Sequence, residues 1–246
     1  MTASREQLVM DTFVELADML ASDTDIGDFL QGLVEHCAQI LRVDTGGVVL
    51  EGADGKLQLV AATSERMKEL EDLEIQEREG PCLDAYRQAR QVLAEDLRQR
   101  IDIWPKAATK ALDMGLLAVY AFPLRWRGDC IGALNLYRDS AGGFYPDDVR
   151  VAQAFADVAA LAILQERRVH DARTRNAQLQ RALDSRMLIE RAKGVFAERH
   201  GIAFQQAFEA IRGYARSHNR TLRSVCQEIV DGGDPIGSDP GTSPRS

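Results

Sequence analysis

The feature that most constrains the fold of this chain is a long segment that no glycine or proline interrupts. The segment begins at Pro146, continues with two aspartates and runs to Gly194. Proline in the first turn, with acidic residues beside it, is typical of a helix N-terminus. The sequence therefore predicts one helix far longer than the usual helix of a globular protein.

A heptad repeat runs through this predicted helix. Eight of the eleven a and d positions are apolar, and one a position holds Asn176, which favours a parallel dimer in a single register. We therefore expect a linking helix with coiled-coil character over residues 147–183 that joins two chains. In the alternative, residues 151–164 only cover a sheet and the helix breaks near His170. The a positions are Phe155, Ala162, Val169, Asn176 and Leu183, and the d positions are Val151, Val158, Gln165, Ala172, Leu179 and Arg186.

Residues 8–165 alternate predicted helices with strand pairs. Apolar residues at helical spacing predict two helices at the start, the second capped within Asp23-Thr-Asp-Ile26. Asp-Gly at 54–55 and Gly-Asp at 128–129 predict the turns of two hairpins. Residues 65–79 are so highly charged that we expect a loop or a weak exposed helix there. Hairpins with helices before and after them indicate an α+β domain whose antiparallel sheet is flanked by helices.

Charge is distributed unevenly along the chain. The net charge is −8, yet residues 167–223 hold thirteen Lys and Arg against five Asp and Glu, a net of +8, which leaves −16 for the remainder. Helical spacing and capping residues predict three short helices, over 183–200, up to Asn219, and after Thr221. A basic three-helix module at the end of an acidic chain indicates polyanion binding.

Cysteine and histidine usage gives little support for a metal or haem. Four cysteines are scattered without metal-ligand spacing, and His36 is the one histidine in the N-terminal half. We therefore disfavour a metal site, a disulfide framework and haem. The chain starts without a signal-peptide pattern and has no long apolar run, so we expect a cytoplasmic protein without a membrane segment.

The basic module contains several short strings, each at a fixed distance from the next. They are Ser185-Arg186, Ile189-Glu190 and Ala192-Lys193-Gly194, then Ala207-Phe208, Ile211-Arg212, Ala215, Asn219, Leu222 and Val225. In this pattern residues 176–231 resemble the ANTAR family of RNA-binding transcription antiterminators. Ala197 and Cys226 depart from the usual residues of the family, and both changes are of the kind found in a core.

The N-terminal half carries a second resemblance. The segments 79–86, 121–124 and 131–137, together with the order of the elements, make residues 8–165 similar to a GAF domain of the kind found in actinobacterial GAF–ANTAR proteins. The resemblance implies a sensor domain with a small-molecule pocket between the sheet and residues 65–115, whose ligand is unknown. The candidates to line that pocket are Cys82, Tyr86, Trp104 and Phe122.

The ANTAR resemblance implies a specific mode of action. Dimeric modules bind paired hairpins with hexanucleotide loops in nascent mRNA and so prevent a terminator from forming. Basic side chains suit this task because they neutralise phosphates while the loop exposes its bases. We expect Ala207 and Phe208 in the core rather than stacked on bases. The candidate RNA contacts are Arg186, Lys193, Arg212, Arg216, Arg220 and Arg223.

Two other functions stay open at this point. Some GAF proteins reduce free methionine sulfoxide, and Cys82 and Cys130 are the thiols available for such chemistry. Three helices with a basic face also suit a DNA-binding regulator.

Finally, residues 232–246 are rich in Gly, Pro, Ser and Asp and are predicted to form a disordered tail.

Overall fold

A computed structural model describes residues 5–22, 24–52 and 54–237. The chain divides into two compact units, Met1–Arg168 and Val169–Ser246. The helices are α1 (Arg5–Ala21), α2 (Ile26–Leu41), α3 (Glu65–Glu77), α4 (Pro81–Gln88), α5 (Pro105–Asp113), α6 (Pro146–His200), α7 (Phe204–Ser217) and α8 (Leu222–Val230), with a 3-10 turn at Leu97–Gln99. The strands are β1 (Thr45–Glu51), β2 (Leu57–Ala62), β3 (Val92–Ala94), β4 (Ala118–Trp126) and β5 (Asp129–Arg138).

The first unit is built on a five-stranded antiparallel sheet in the order β2-β1-β5-β4-β3. The two predicted hairpins, β1–β2 and β4–β5, join side by side where Val48 of β1 lies opposite Leu134 of β5. The predicted α+β class is therefore confirmed. The predicted cap of the second helix is present as well, since the Asp25 carboxylate accepts from the Gly27 N–H at 2.7 Å.

One face of the sheet packs against α1, α2 and the start of α6. Phe155 of α6 is fully buried and stacks on Phe13 of α1 with the ring centroids 4.8 Å apart. Alternate residues of β4, including Tyr120 and Phe122, point into this core. Because side chains alternate along a strand, the neighbouring Val119 and Ala121 point to the opposite face of the sheet. There they pack in two other hydrophobic clusters.

The opposite face of the sheet is covered by α3, α4 and α5. The expectation that residues 65–79 form a loop or a weak exposed helix is wrong, because α3 is a full helix with one buried stripe. Met67, Leu70, Glu71 and Glu74 make up this stripe at spacings of three and four residues. Two of the four buried positions are glutamates, so the high charge concealed the amphipathic pattern.

Helix α6 extends from Pro146 to His200, and the break near His170 is not found. Its first turns are buried in the core of the first unit through Ala152, Phe155 and Ala159. Residues 165–184 are all exposed. Its last turns belong to the core of the second unit through Ala192 and Phe196.

The second unit is a three-helix module formed by the end of α6 with α7 and α8. Its core contains Ile211, Val225 and Ile229, all fully buried. The α6–α7 turn passes through Gly201, whose φ of 63° suits glycine. Thr221 caps α8 by accepting from the Ser224 N–H at 3.1 Å.

The predicted disordered tail is wrong for residues 232–237. Ile236 is buried in the module core, and Asp234 lies 3.1 Å from the His200 ring. The Arg199 guanidinium donates to the Gly233 carbonyl at 2.5 Å. One apolar side chain and these polar contacts suffice to hold the segment, and residues 238–246 lie outside the described part of the chain.

Among the described residues, no helix combines the length and the apolar content that a bilayer crossing demands.

Candidate functional site

Three of the six predicted RNA contacts are exposed arginines that are available to a ligand. Arg186 lies on α6, Arg216 on α7 and Arg223 on the first turn of α8. Within residues 5–22, 24–52 and 54–237, none of these three guanidinium groups pairs with an acidic side chain. An exposed guanidinium without an acidic partner retains its hydrogen-bond donors for a phosphate or a base edge.

Lys193 differs because its side chain is only 14% exposed. Its ammonium donates to both carboxylate oxygens of Glu190 at 2.9 Å. The same Nζ atom lies 4.9 Å from the ring centroid of Phe204 and 5.7 Å from that of Phe208, which places it within cation–π range of both. Lys193 therefore links α6 to α7 in this structure.

The remaining two predicted contacts are paired with acids of the same module. Arg220 lies 2.8 Å from the Glu228 carboxylate, and Arg212 lies 4.0 Å from Glu209. Both arginines keep a partly exposed side chain, with 34% and 44% exposure. Exposed pairs of this kind are weak, so a phosphate can replace either carboxylate at low cost.

Helix α7 carries a continuous row of aromatic and basic side chains. Phe204, Phe208, Arg212 and Arg216 follow one another at intervals of four residues, so neighbours along the row lie on adjacent turns. Phe204 is half exposed, and Ala207 is fully buried in the core as expected. Phe208, expected in the core, is half-buried and contacts Lys193 instead. The row thus offers aromatic surface beside positive charge.

A second row of exposed side chains on α6 is apolar. Leu179, Leu183 and Met187 recur every four residues with exposures of 67%, 56% and 68%. Leu179 and Leu183 are the predicted d and a positions of the heptad. An isolated helix in water is marginal even with good helix formers. Residues 165–184 are all exposed, so this apolar row remains uncovered within the described chain.

In the first unit, the structure separates the predicted pocket residues. Cys82 and Tyr86 belong to α4 and share one cluster, and the Trp104 indole N–H donates to Asp84 of α4 at 2.9 Å. Phe122 lies in the core on the other face of the sheet, because strand alternation turns it away from α4. Cys82 and Tyr86 therefore lie on α4 and Trp104 contacts it, whereas Phe122 lies on the other side of the sheet.

The interior beside α4 contains an acidic cluster that the sequence analysis did not identify. Glu71 and Glu74 are fully buried, and both approach Cys82. The Tyr137 hydroxyl donates to Glu74 Oε1 at 2.5 Å, and the Cys82 N–H donates to Glu74 Oε2 at 3.4 Å. Gly80 has a φ of 134°, and a Cβ there would lie 2.3 Å from Glu74 Oε2. Glycine at this position lets the carboxylate reach the start of α4.

Burial controls the protonation of this cluster. Burial, and then the charge of Glu74, raise the pKa of Glu71, while burial raises the pKa of Glu74 despite its hydrogen bonds. Burial, followed by the two glutamates, raises the pKa of the Cys82 thiol well above its usual value. A nucleophilic cysteine needs a lowered pKa and access to solvent, so Cys82 is not arranged as an activated nucleophile.

The sequence does contain a signal for this cluster, in the helical spacing of four residues of α3 that are buried in the structure. Residues 67, 70, 71 and 74 form one helical stripe, and two acids on the apolar side of a helix indicate a buried polar site. Side chains contributed by two separate helices leave no local Cys and His spacing, so a metal-ligand motif in the sequence does not reveal them.

Comparison with known families and structures agrees with this architecture. A GAF domain model matches residues 23–164, and an ANTAR domain model matches residues 177–230. The solved GAF domain of the Acinetobacter phosphoenolpyruvate-protein phosphotransferase superposes with a TM-score of 0.54 at 14% identity, covering 68% of this chain and 98% of that chain. No curated protein matches the chain significantly.

Two further solved structures have the same fold. The GAF domain of the Coxiella burnetii phosphoenolpyruvate-protein phosphotransferase has a TM-score of 0.53 at 13% identity, covering 69% of this chain and 99% of that chain. The free methionine-R-sulfoxide reductase of Neisseria meningitidis, solved with its substrate, has a TM-score of 0.54 at 15% identity, covering 69% and 96%. Identities this low establish the shared fold alone.

The first unit is thus a GAF domain. Since an ANTAR domain follows it, the chain belongs to the GAF–ANTAR regulators. It is an RNA-binding antitermination regulator with a GAF sensor, and this architecture indicates a regulator rather than an enzyme.

Proposed function

We propose that a homodimer of this chain binds paired hairpins with hexanucleotide loops in nascent mRNA and thereby prevents a terminator from folding. The observation that carries the proposal is the surface of the ANTAR module. Arg186, Arg216 and Arg223 are exposed without acidic partners among the described residues. Arginines of this kind neutralise phosphates and contact the unstacked bases of a loop.

The dimeric part of the proposal is supported by the exposed stretch of α6. Residues 165–184 contribute to no core in a single chain, yet they include the apolar side chains of Leu179 and Leu183. Burying these against a second copy would stabilise the helix. Asn176 at an a position would then fix a parallel register. In a parallel pair, both ANTAR modules would lie at the same end of the two paired helices.

Pairing of modules would suit a target that contains two hairpins. Each module would bind one hairpin, and attachment to the same dimer would make the second binding event intramolecular. The paired form of the RNA would gain stability at the expense of the competing terminator. We infer that the GAF domain controls this activity in response to a signal.

A competition experiment tests the proposal against DNA binding. A labelled RNA with two hexaloop hairpins is bound to the full chain and displaced by unlabelled RNA or by duplex DNA of equal charge at a fixed salt concentration. We expect the RNA to compete far better and the affinity to fall as salt rises. Equal displacement by duplex DNA would indicate a DNA-binding regulator and would contradict the proposal.

A further inference from the structure

The interior of the GAF domain brings three potential metal ligands together. Glu71 and Glu74 lie one turn apart on the buried stripe of α3, and Cys82 lies on the first turn of α4. One ligand atom from each residue lies within 4.8 Å of the other two. All three side chains are fully buried. Two carboxyl groups and a thiol therefore converge on one point beneath the sheet.

Within the part of the chain that the structure describes, no positive side chain balances the two glutamates. Across residues 5–22, 24–52 and 54–237, the hydrogen bonds to their carboxylates come from Asn135, Tyr137 and Cys82 and not from a lysine, arginine or histidine. A buried carboxylate without a counter-charge is costly and persists only when a proton or a cation neutralises it. Protons or a metal ion must therefore supply the missing charge.

Two buried oxygen atoms at the cluster have no hydrogen-bond partner among the described residues. They are Glu71 Oε2 and Asn135 Oδ1. Asn135 lies on β5, and its amide nitrogen donates to Glu71 Oε1 at 2.5 Å, so its amide group faces the cluster. Unsatisfied buried acceptors are rare in folded proteins and call for a specific explanation. A proton would provide a donor for one acceptor, whereas a cation can bind several oxygen atoms at once.

We propose that Glu71, Glu74 and Cys82 bind a divalent transition-metal ion of the zinc type, with the amide oxygen of Asn135 as the fourth donor. The thiolate disfavours Mg²⁺ and Ca²⁺, and the two carboxylates disfavour Cu⁺, so the donor set suits an ion of intermediate softness. A tetrahedral site requires donor atoms roughly 3.5 Å apart, so binding would draw these ligand atoms together from separations of up to 4.8 Å.

The surrounding contacts would hold the ligands in position. The Tyr137 hydroxyl donates to Glu74 Oε1 and leaves Oε2 to face α4, where the Cys82 N–H also reaches it. Tyr137 is thus a positioning residue, since outer hydrogen bonds orient the ligands of a metal. The ion would join α3, α4 and β5. This site is independent of RNA binding by the ANTAR module.

Cobalt is a suitable probe for this site. The full chain is stripped with a chelator and titrated with Co²⁺, whose thiolate complexes absorb in the near ultraviolet. We expect this charge-transfer band to saturate at about one ion per chain, and Zn²⁺ to abolish it by replacing Co²⁺. Retention of about one Zn²⁺ per chain after dialysis, measured by mass spectrometry, is the second expected result.

Matched variants locate the ion. Cys82→Ser should lose the band, whereas Cys130→Ser, which changes the half-buried thiol of β5, should keep it. Glu71→Gln should lower Zn²⁺ affinity by more than the roughly 10–100-fold that loss of an outer-shell partner costs. Asp72→Asn changes an exposed acid on the same helix and should leave the affinity unchanged.

Three results would overturn the metal site. The first is a folded wild-type chain that neither develops the band nor retains Zn²⁺, which would leave protons as the counter-charge. The second is a band that persists in Cys82→Ser, and the third is an equal loss of affinity in Asp72→Asn and Glu71→Gln. If Glu71→Gln fails to fold, a Zn²⁺-dependent rise in the melting temperature of wild type, absent in Cys82→Ser, still decides the question.

Discussion

The GAF domain and the ANTAR module place their charged side chains in opposite ways. The GAF domain buries Glu71 and Glu74 beneath its sheet, where no basic group balances them among the described residues. The ANTAR module leaves Arg186, Arg216 and Arg223 on its surface. Buried charge requires a small neutralising partner that fits inside the fold. Exposed charge on a rigid helical surface suits a large polyanion.

The two regions also differ in how they use apolar side chains. In the GAF domain, α1, α2 and the start of α6 cover one face of the sheet, so the apolar residues of α6 are buried there. Further along the same helix, Leu179 and Leu183 remain exposed in the single chain. The contrast predicts that substitutions on the exposed stretch affect assembly and RNA binding more than they affect folding.

The largest expected effect comes from placing charge on the exposed apolar row. The double change Leu179→Asp and Leu183→Asp should raise the dimer dissociation constant by more than about 100-fold, because burial of each leucine contributes about 1.5–3 kcal/mol. Sedimentation velocity at several concentrations measures the change. The GAF domain should unfold at an unchanged temperature.

A matched pair controls for the added charge. Thr174→Asp and Gln178→Asp introduce the same two charges at outer positions of the heptad and should leave the dimer intact. If this control dissociates as readily as the leucine variant, the apolar row is not the dimer interface.

An intermediate effect is expected from the exposed arginines. Arg216→Glu should weaken binding to the two-hairpin RNA about tenfold or more, since a charge-assisted hydrogen bond is worth about 1.5–3 kcal/mol. The slope of log affinity against log salt should fall by about one. Fluorescence anisotropy at three salt concentrations measures both quantities.

Arg90→Glu provides the comparison in the GAF domain, because it reverses an exposed arginine in that unit. Its RNA affinity should equal that of wild type. An equal loss in both variants would show that overall charge determines RNA binding, and the contrast between the two regions would fail.

The smallest expected effect concerns Lys193. Lys193→Ala removes the contacts with Glu190, Phe204 and Phe208 and should destabilise the ANTAR module by about 1–2 kcal/mol. Arg191→Ala, an exposed change two residues earlier, should be neutral. Chemical denaturation measures the difference. If Lys193→Ala retains full stability but loses RNA binding, its primary role is direct contact with RNA.

Much of this architecture was readable from the sequence. The hairpins, the long helix from Pro146 and the three-helix module follow from local signals, such as Asp-Gly turns, the absence of helix breakers and the Thr221 cap. Both families were recognisable from short strings in their expected positions, and the domain models confirm them. Sequence patterns predict a structural feature well when all the residues that define it lie within one helix, strand or turn.

The parts that could not be predicted depend on contacts between distant elements. Lys193 was a candidate RNA contact from the sequence, but the sequence could not show that Phe204 and Phe208 of α7 approach it. The acidic cluster likewise forms only where α3, α4 and β5 pack together. Ile236 was assigned to a tail because one apolar residue in a Gly- and Pro-rich segment gives no periodicity.

The central claim is that paired ANTAR modules bind paired hairpins, and the mass of the complex tests it most directly. Light scattering on the full chain with an RNA that contains both hairpins should give one RNA bound to a dimer of the protein. Deleting one hairpin should weaken binding strongly, because the second contact is then lost. A single chain per RNA, or equal affinity for the one-hairpin and two-hairpin RNAs, would contradict the account.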